Sequence, residues 1–146
     1  MMLSAHFSLD ELTISTEAVR RGIDNTTTKP IVDNLRRLAE KLEEVRSVLG
    51  HPIIINSGYR SPAVNLAVKG AKNSEHMDGR AADFICPAYG RPLQVAKAIR
   101  AAGIEYNQLI HEFGAWVHIS VPVAGAAPKR EELTYRSGKP VTEGLV

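Results

Sequence analysis

Of the five histidines in this chain, His76 and His118 occupy the settings in which an imidazole can do chemistry. His76 belongs to the run Ser74-Glu75-His76-Met77-Asp78-Gly79-Arg80-Ala81-Ala82-Asp83, a polar, glycine-containing loop that leads into the strand-like Phe84-Ile85. Asp83 falls at the edge of that buried strand, where an unpaired carboxylate costs several kcal/mol. A metal ion supplies the missing partner, with Arg60 and Arg80 as the alternatives. The seven-residue separation of His76 from Asp83 exceeds one helical turn and suits a loop that folds the histidine back towards the strand. Trp116-Val117-His118-Ile119-Ser120 alternates, which puts Trp116, His118 and Ser120 on one strand face. Two neutral imidazoles and one carboxylate form a usual zinc donor set, and three protein ligands leave the fourth tetrahedral position to water. No fourth strong ligand is evident, and a single cysteine, Cys86, excludes the common structural zinc patterns. The expectation is a catalytic Zn2+ held by His76, Asp83 and His118.

These residues must be carried by a scaffold, and its elements are legible. Ser8 and Glu11 have capping-box spacing, with Phe7 placed to staple against Leu12, so a short helix begins there. A second runs from Thr16 to Arg21 before Gly22. Ile31, Leu35, Leu38, Leu42, Val45 and Leu49 recur at helical spacing, with Pro30 in the first turn and Gly50 as the stop. Pro52 to Ile55 reads as a buried strand, Ser61-Pro62 opens a short helix through Val68, and Arg80 to Cys86 is the next strand. A helix over Pro92 to Ala102 precedes two apolar runs, Gln108 to Phe113 and Trp116 to Val121, which the intervening Gly114-Ala115 joins as a hairpin. The order predicts an α+β fold, a small, mainly antiparallel sheet covered by helices with the zinc site on the sheet.

The chain has 146 residues, 44% hydrophobic and 23% charged, which suits one folded domain. That domain is expected over residues 1–122, and the aperiodic stretch 123–146 is expected to be a loosely held tail. A net charge of +2 without a basic stripe argues against a nucleic-acid partner. No segment approaches the roughly 18 apolar residues of a membrane span. Met1 to Ser8 lacks both a cationic start and an apolar run, so synthesis as a soluble cytoplasmic protein without a signal peptide is expected.

Three ordered motifs, Ser57-Gly58-Tyr59-Arg60-Ser61-Pro62-Ala63-Val64-Asn65, Ser74-x-His76-x-x-Gly79-x-Ala81-x-Asp83 and Trp116-x-His118, resemble the zinc D-alanyl-D-alanine carboxypeptidase family of peptidoglycan peptidases. The likeness is to its small branch common in bacteriophages and prophages, and it spans about Phe7 to Ser120. It implies an α+β domain whose one zinc is held by His76, Asp83 and His118, a substrate-facing Arg60, and a peptidoglycan stem peptide as substrate. Such a protein would reach the cell wall after lysis or as part of a virion.

Arg60 offers a planar fork for a terminal carboxylate or a developing oxyanion. Ser74 is a candidate for substrate contact or for capping the His76 loop, and Trp116 for a pocket wall. Many relatives carry a glutamate three residues before the last histidine ligand, and here that position is Ala115. Glu112 is the preferred general base, facing the zinc if the hairpin turn has three residues. A two-residue turn would bring His111 opposite His118 instead. The expected activity is D-Ala-D-Ala carboxypeptidase; the alternative, supported by Ala115, is a non-catalytic zinc-containing module of the same fold.

Overall fold

The computed structural model describes residues 1–146. Ser8 Oγ accepts the Glu11 amide at 3.0 Å and so starts α1 (Leu9–Thr13), with Phe7 and Leu12 both buried beside it. α2 (Thr16–Arg21) ends at Gly22 in the left-handed conformation. α3 (Lys29–Leu49) buries Leu35, Leu38, Leu42, Val45 and Leu49, the stripe its sequence period predicts. α4 (Pro62–Ala67) is capped by Ser61, and α5 (Pro92–Ala101) buries Val95, Ala96 and Ile99.

Six strands form one sheet: β1 (Ile54–Ser57), β2 (Ala81–Ile85), β3 (Gln108–Glu112), β4 (Trp116–Ser120), β5 (Glu131–Tyr135) and β6 (Thr142–Glu143). Their spatial order is β1-β2-β4-β3-β5-β6, and every neighbouring pair is antiparallel except β3 with β5. The fold is α+β. The two-residue period divides the sheet into unlike faces. Ala82 and Phe84 of β2, Val117 and Ile119 of β4 and Leu109 of β3 join the core with Leu35, Leu38 and Leu42 of α3. Asp83 and His118, paired in register on β2 and β4, point to the other face. No helix is long and apolar enough to cross a membrane.

Two expectations are corrected. The strand read as buried over Pro52 to Ile55 lies at Ile54–Ser57, where it is the sheet edge and leaves Ile54 52% exposed. With a neighbour on one side only, its outer residues meet water. The second correction concerns residues 123–146, which are not a loose tail. β5 runs parallel to β3 over five register pairs, from Gln108↔Glu131 to Glu112↔Tyr135. Thr134 Oγ1 donates to the Gly144 carbonyl at 2.8 Å and accepts the Val146 amide at 3.1 Å, and Leu145 is 4% exposed within the core. Without β5, β3 would present open backbone groups along its outer edge, and the last residues satisfy them.

Leu145 provides the test. Removing a buried leucine side chain costs about 2–5 kcal/mol, so Leu145→Ala is expected to lower the unfolding free energy by that amount, read as a lower urea midpoint with an unchanged m-value. A loose tail would give a change within about 0.5 kcal/mol.

Candidate metal centre

Each ligand candidate is fixed by a different local device. Asp83 sits in the middle of β2, opposite Ser57 on one side and His118 on the other. His76 lies on a single 3₁₀ turn, Glu75–Asp78, whose N-terminus is capped by Ser74 Oγ accepting the His76 amide at 3.2 Å. Gly79 ends that turn at φ +72°, and a Cβ there would stand 3.0 Å from the Ile31 carbonyl oxygen. The His76 ring N–H at Nδ1 donates to the Gly58 carbonyl at 2.7 Å. Gly58 itself must be glycine, because a Cβ would lie 2.3 Å from the Leu12 carbonyl oxygen where α1 crosses it.

The three side chains converge. His76 Nε2 is 3.2 Å and His118 Nδ1 3.0 Å from the same oxygen, Oδ1 of Asp83, and all three residues are buried. Since Nδ1 of His76 carries the proton given to a carbonyl, the Nε2 of a neutral His76 ring is a lone pair aimed at a carboxylate oxygen. Electron-pair donors so arranged repel one another unless a cation or protons lie among them. Their ligand atoms all fall within 4.8 Å of one another. Tetrahedral bonds of about 2.0–2.2 Å to a shared zinc give ligand separations of about 3.3–3.6 Å, so the donor set and its spacing fit that ion.

Electrostatics follow from the same arrangement. Burial alone would raise the Asp83 carboxyl, but the His76 and His118 imidazoles outweigh it and hold Asp83 far below the usual carboxylate range. Burial disfavours charge on His118, yet Asp83 and Glu75 overcome it and push its pKa up to about 10. A metal entering this centre therefore displaces a proton. Glu112 is shifted upward, first by burial and then by the Asp83 charge, against the pull of His118.

Asp83, His118 and Glu112 line one cleft of about 730 Å³, together with Arg60, Ser74 and Trp116. The hairpin turn has three residues, Phe113-Gly114-Ala115, because Glu112 pairs with Trp116. Glu112 consequently shares a face with His118, and its Oε2 is 3.7 Å from His118 Nδ1. His111 pairs with Val117 and points away from the cleft, its ring nitrogen 3.0 Å from the Val146 carbonyl oxygen. Arg60 is not a free fork: Nη2 is 3.4 Å from Asp83 Oδ2, Nε 3.2 Å from Ser57 Oγ and Nη1 3.3 Å from Asn65 Oδ1. Trp116 stands edge-on to Phe113 with ring centroids 5.6 Å apart and forms part of the cleft wall. Ser74 spends its oxygen on the cap.

One residue escaped the sequence reading. Glu75 turns into the site with Oε1 3.6 Å from His118 Nε2, and its only signal in the chain is a carboxylate directly before a candidate ligand.

A family model described as Peptidase M15 matches residues 5–120. Over 45 residues the chain is 50% identical to the zinc D-Ala-D-Ala carboxypeptidase of Streptomyces albus G, a stretch that covers 30% of this chain and 18% of that protein.

The ligand set predicts that wild-type protein loaded with zinc and freed of excess contains one metal ion per chain by elemental analysis. His76→Ala and His118→Ala are expected to contain almost none, because two remaining protein ligands hold zinc poorly, whereas His111→Ala is expected to keep full occupancy.

Proposed function

From the premise that this chain belongs to the Peptidase M15 family, we propose that it is a zinc peptidase acting on peptidoglycan stem peptides, as a D-Ala-D-Ala carboxypeptidase. The observation that carries this reading is the convergence of His76, Asp83 and His118 beside Glu112 in one cleft. Zinc, when bound, supplies Lewis acidity, which lowers the pKa of water to about 7 and polarises a scissile carbonyl.

The chain's own residues do the rest. His76 and His118 hold their positions through the Gly58 carbonyl and the strand pairing of β4 with β2. Glu112 is the proton carrier: its carboxylate takes a proton from the attacking water at Oε2 and delivers it to the leaving amine nitrogen. Burial, the first cause of its upward shift, disfavours its charged form and so favours its taking up a proton. It answers the absence of a carboxylate at Ala115, since a three-residue turn brings position 112 to the face of His118. Arg60, held against Asp83 Oδ2, lies where one edge of its guanidinium can meet a substrate carboxylate at the cleft.

A second reading, internal cleavage by an endopeptidase, is favoured by one feature. A smaller cavity of about 270 Å³ shares Arg60, Asp83 and Trp116 with the cleft as lining and reaches Ile14 and Thr16, space into which a longer peptide could extend. The chain spans only about a fifth of the curated relative it matches, at 18% of that protein's length. Its substrate is therefore decided by assay.

Two measurements test this. Glu112→Gln is expected to retain zinc while slowing hydrolysis of a D-Ala-D-Ala peptide by about 10²–10⁴-fold, and His111→Ala to keep normal turnover. The reverse pattern, with zinc bound in both, would make His111 the proton carrier. For a carboxypeptidase, amidating the substrate's C-terminus sharply lowers wild-type kcat/KM, and Arg60→Lys reproduces most of that loss on the free-acid substrate. Equal rates on free and amidated peptides would establish internal cleavage.

A further inference from the structure

The buried polar side-chain atoms without a hydrogen-bond partner are Glu75 Oε1, His118 Nε2 and the Trp116 indole nitrogen. The first two face each other at 3.6 Å. Leaving a buried donor and acceptor both unpaired is costly, the more so for a charged group, whereas closing to the roughly 2.7–2.9 Å of a charge-assisted bond satisfies both at once. We propose that Glu75 is the positioning residue of the metal centre: it accepts the Nε2–H of His118 and thereby keeps Nδ1 turned to the point shared with His76 and Asp83. The proposal rests on the zinc reading above and adds to it the group that sets the His118 tautomer.

Three features make Glu75 suited to this. Its other oxygen, Oε2, is anchored from two directions, by Asn107 Nδ2 at 2.8 Å and by Arg80 Nη1 at 3.3 Å. The carboxylate is therefore aimed before any metal arrives. Its charge strengthens the His118 ring as a donor, since an imidazole that gives its far N–H to a carboxylate is the more basic at its near nitrogen. Finally, the anchor reaches the segment beyond the family match. Asn107 Oδ1 accepts the Lys129 amide at 3.2 Å, and the Asn107 carbonyl accepts the Glu131 amide at 3.0 Å. The C-terminal strand thus braces the residue that braces a ligand. His76 has its own, different brace in the Gly58 carbonyl, so Glu75 serves His118 alone.

The substitution that tests this leaves Arg80 its other partners and takes from Asn107 Nδ2 the acceptor it has in Glu75 Oε2, which Glu75→Gln restores through its own amide oxygen. With Glu75 gone, Arg80 keeps Asp78 Oδ2 at 2.9 Å and the Val121 carbonyl at 3.1 Å. Zinc affinity is measured by competition with a chelating dye, and the His118 ring by ¹⁵N-resolved NMR of the zinc-loaded protein. Wild type is expected to show a slowly exchanging Nε2 proton on His118. Glu75→Ala is expected to bind zinc about 10–100-fold more weakly and to lose that protected proton, with Glu75→Gln recovering the proton and part of the affinity because its amide oxygen still accepts. Tight wild-type binding that is unchanged in Glu75→Ala overturns the proposal alone. A wild type that binds no zinc overturns the metal assignment as well.

Discussion

The structure turns on one buried carboxylate oxygen. Asp83 Oδ1 receives two imidazoles at 3.0 and 3.2 Å, and Asp83 Oδ2 lies 3.4 Å from Arg60. A carboxylate this deep in a sheet is stable only with such company, since an isolated buried charge is one of the most costly features a fold can carry. The centre therefore has two states that satisfy it, protons on the imidazoles or a metal among the three donors. The second turns a stability requirement into a metal-binding one.

The sheet makes this possible by keeping two environments on opposite sides of a single layer. Along β2, Ala82 and Phe84 enter the core while Asp83 between them faces the cleft; along β4, Val117 and Ile119 do the same around His118. One strand thus serves packing and chemistry without compromise to either. The close crossing of α1 over Gly58, where Leu12 O receives the Tyr59 amide at 2.8 Å, ties the helical layer to the loop that orients His76. Arg60 follows in the same loop, its amide 3.0 Å from the His76 carbonyl, so the arginine and the histidine are positioned as one piece.

The C-terminal residues extend this logic. β5 lies parallel to β3 with Tyr135 opposite Glu112, and the Phe113 amide donates to the Tyr135 carbonyl at 2.8 Å. The strand that carries the proposed proton carrier is thereby held on both sides rather than left as an edge. The hairpin turn is fixed as well, with Phe113 in a left-handed conformation at φ +58° that the Tyr135 contact helps to hold.

Local features were readable from the chain because their causes are local. The Ser8 cap, the α3 stripe ending at Gly50, the alternation around His118 and the family motifs each depend on residues near one another in sequence, and each led to the observed element. That His76, Asp83 and His118 meet was legible for the same reason, since a buried aspartate and two histidines beside strands narrow the chemistry to few outcomes. Other features depend on who lies alongside. Whether Glu112 or His111 faces the cleft is a matter of one residue in the hairpin turn, and a one-residue shift exchanges the faces of every side chain in the strand. The edge position of β1, the pairing of Glu131–Tyr135 with a strand some twenty residues earlier, and the meeting of Glu75 with His118 come from long-range packing. No periodicity within EELTY announces a parallel partner, and nothing next to Glu75 in the chain points to a ring more than forty residues away.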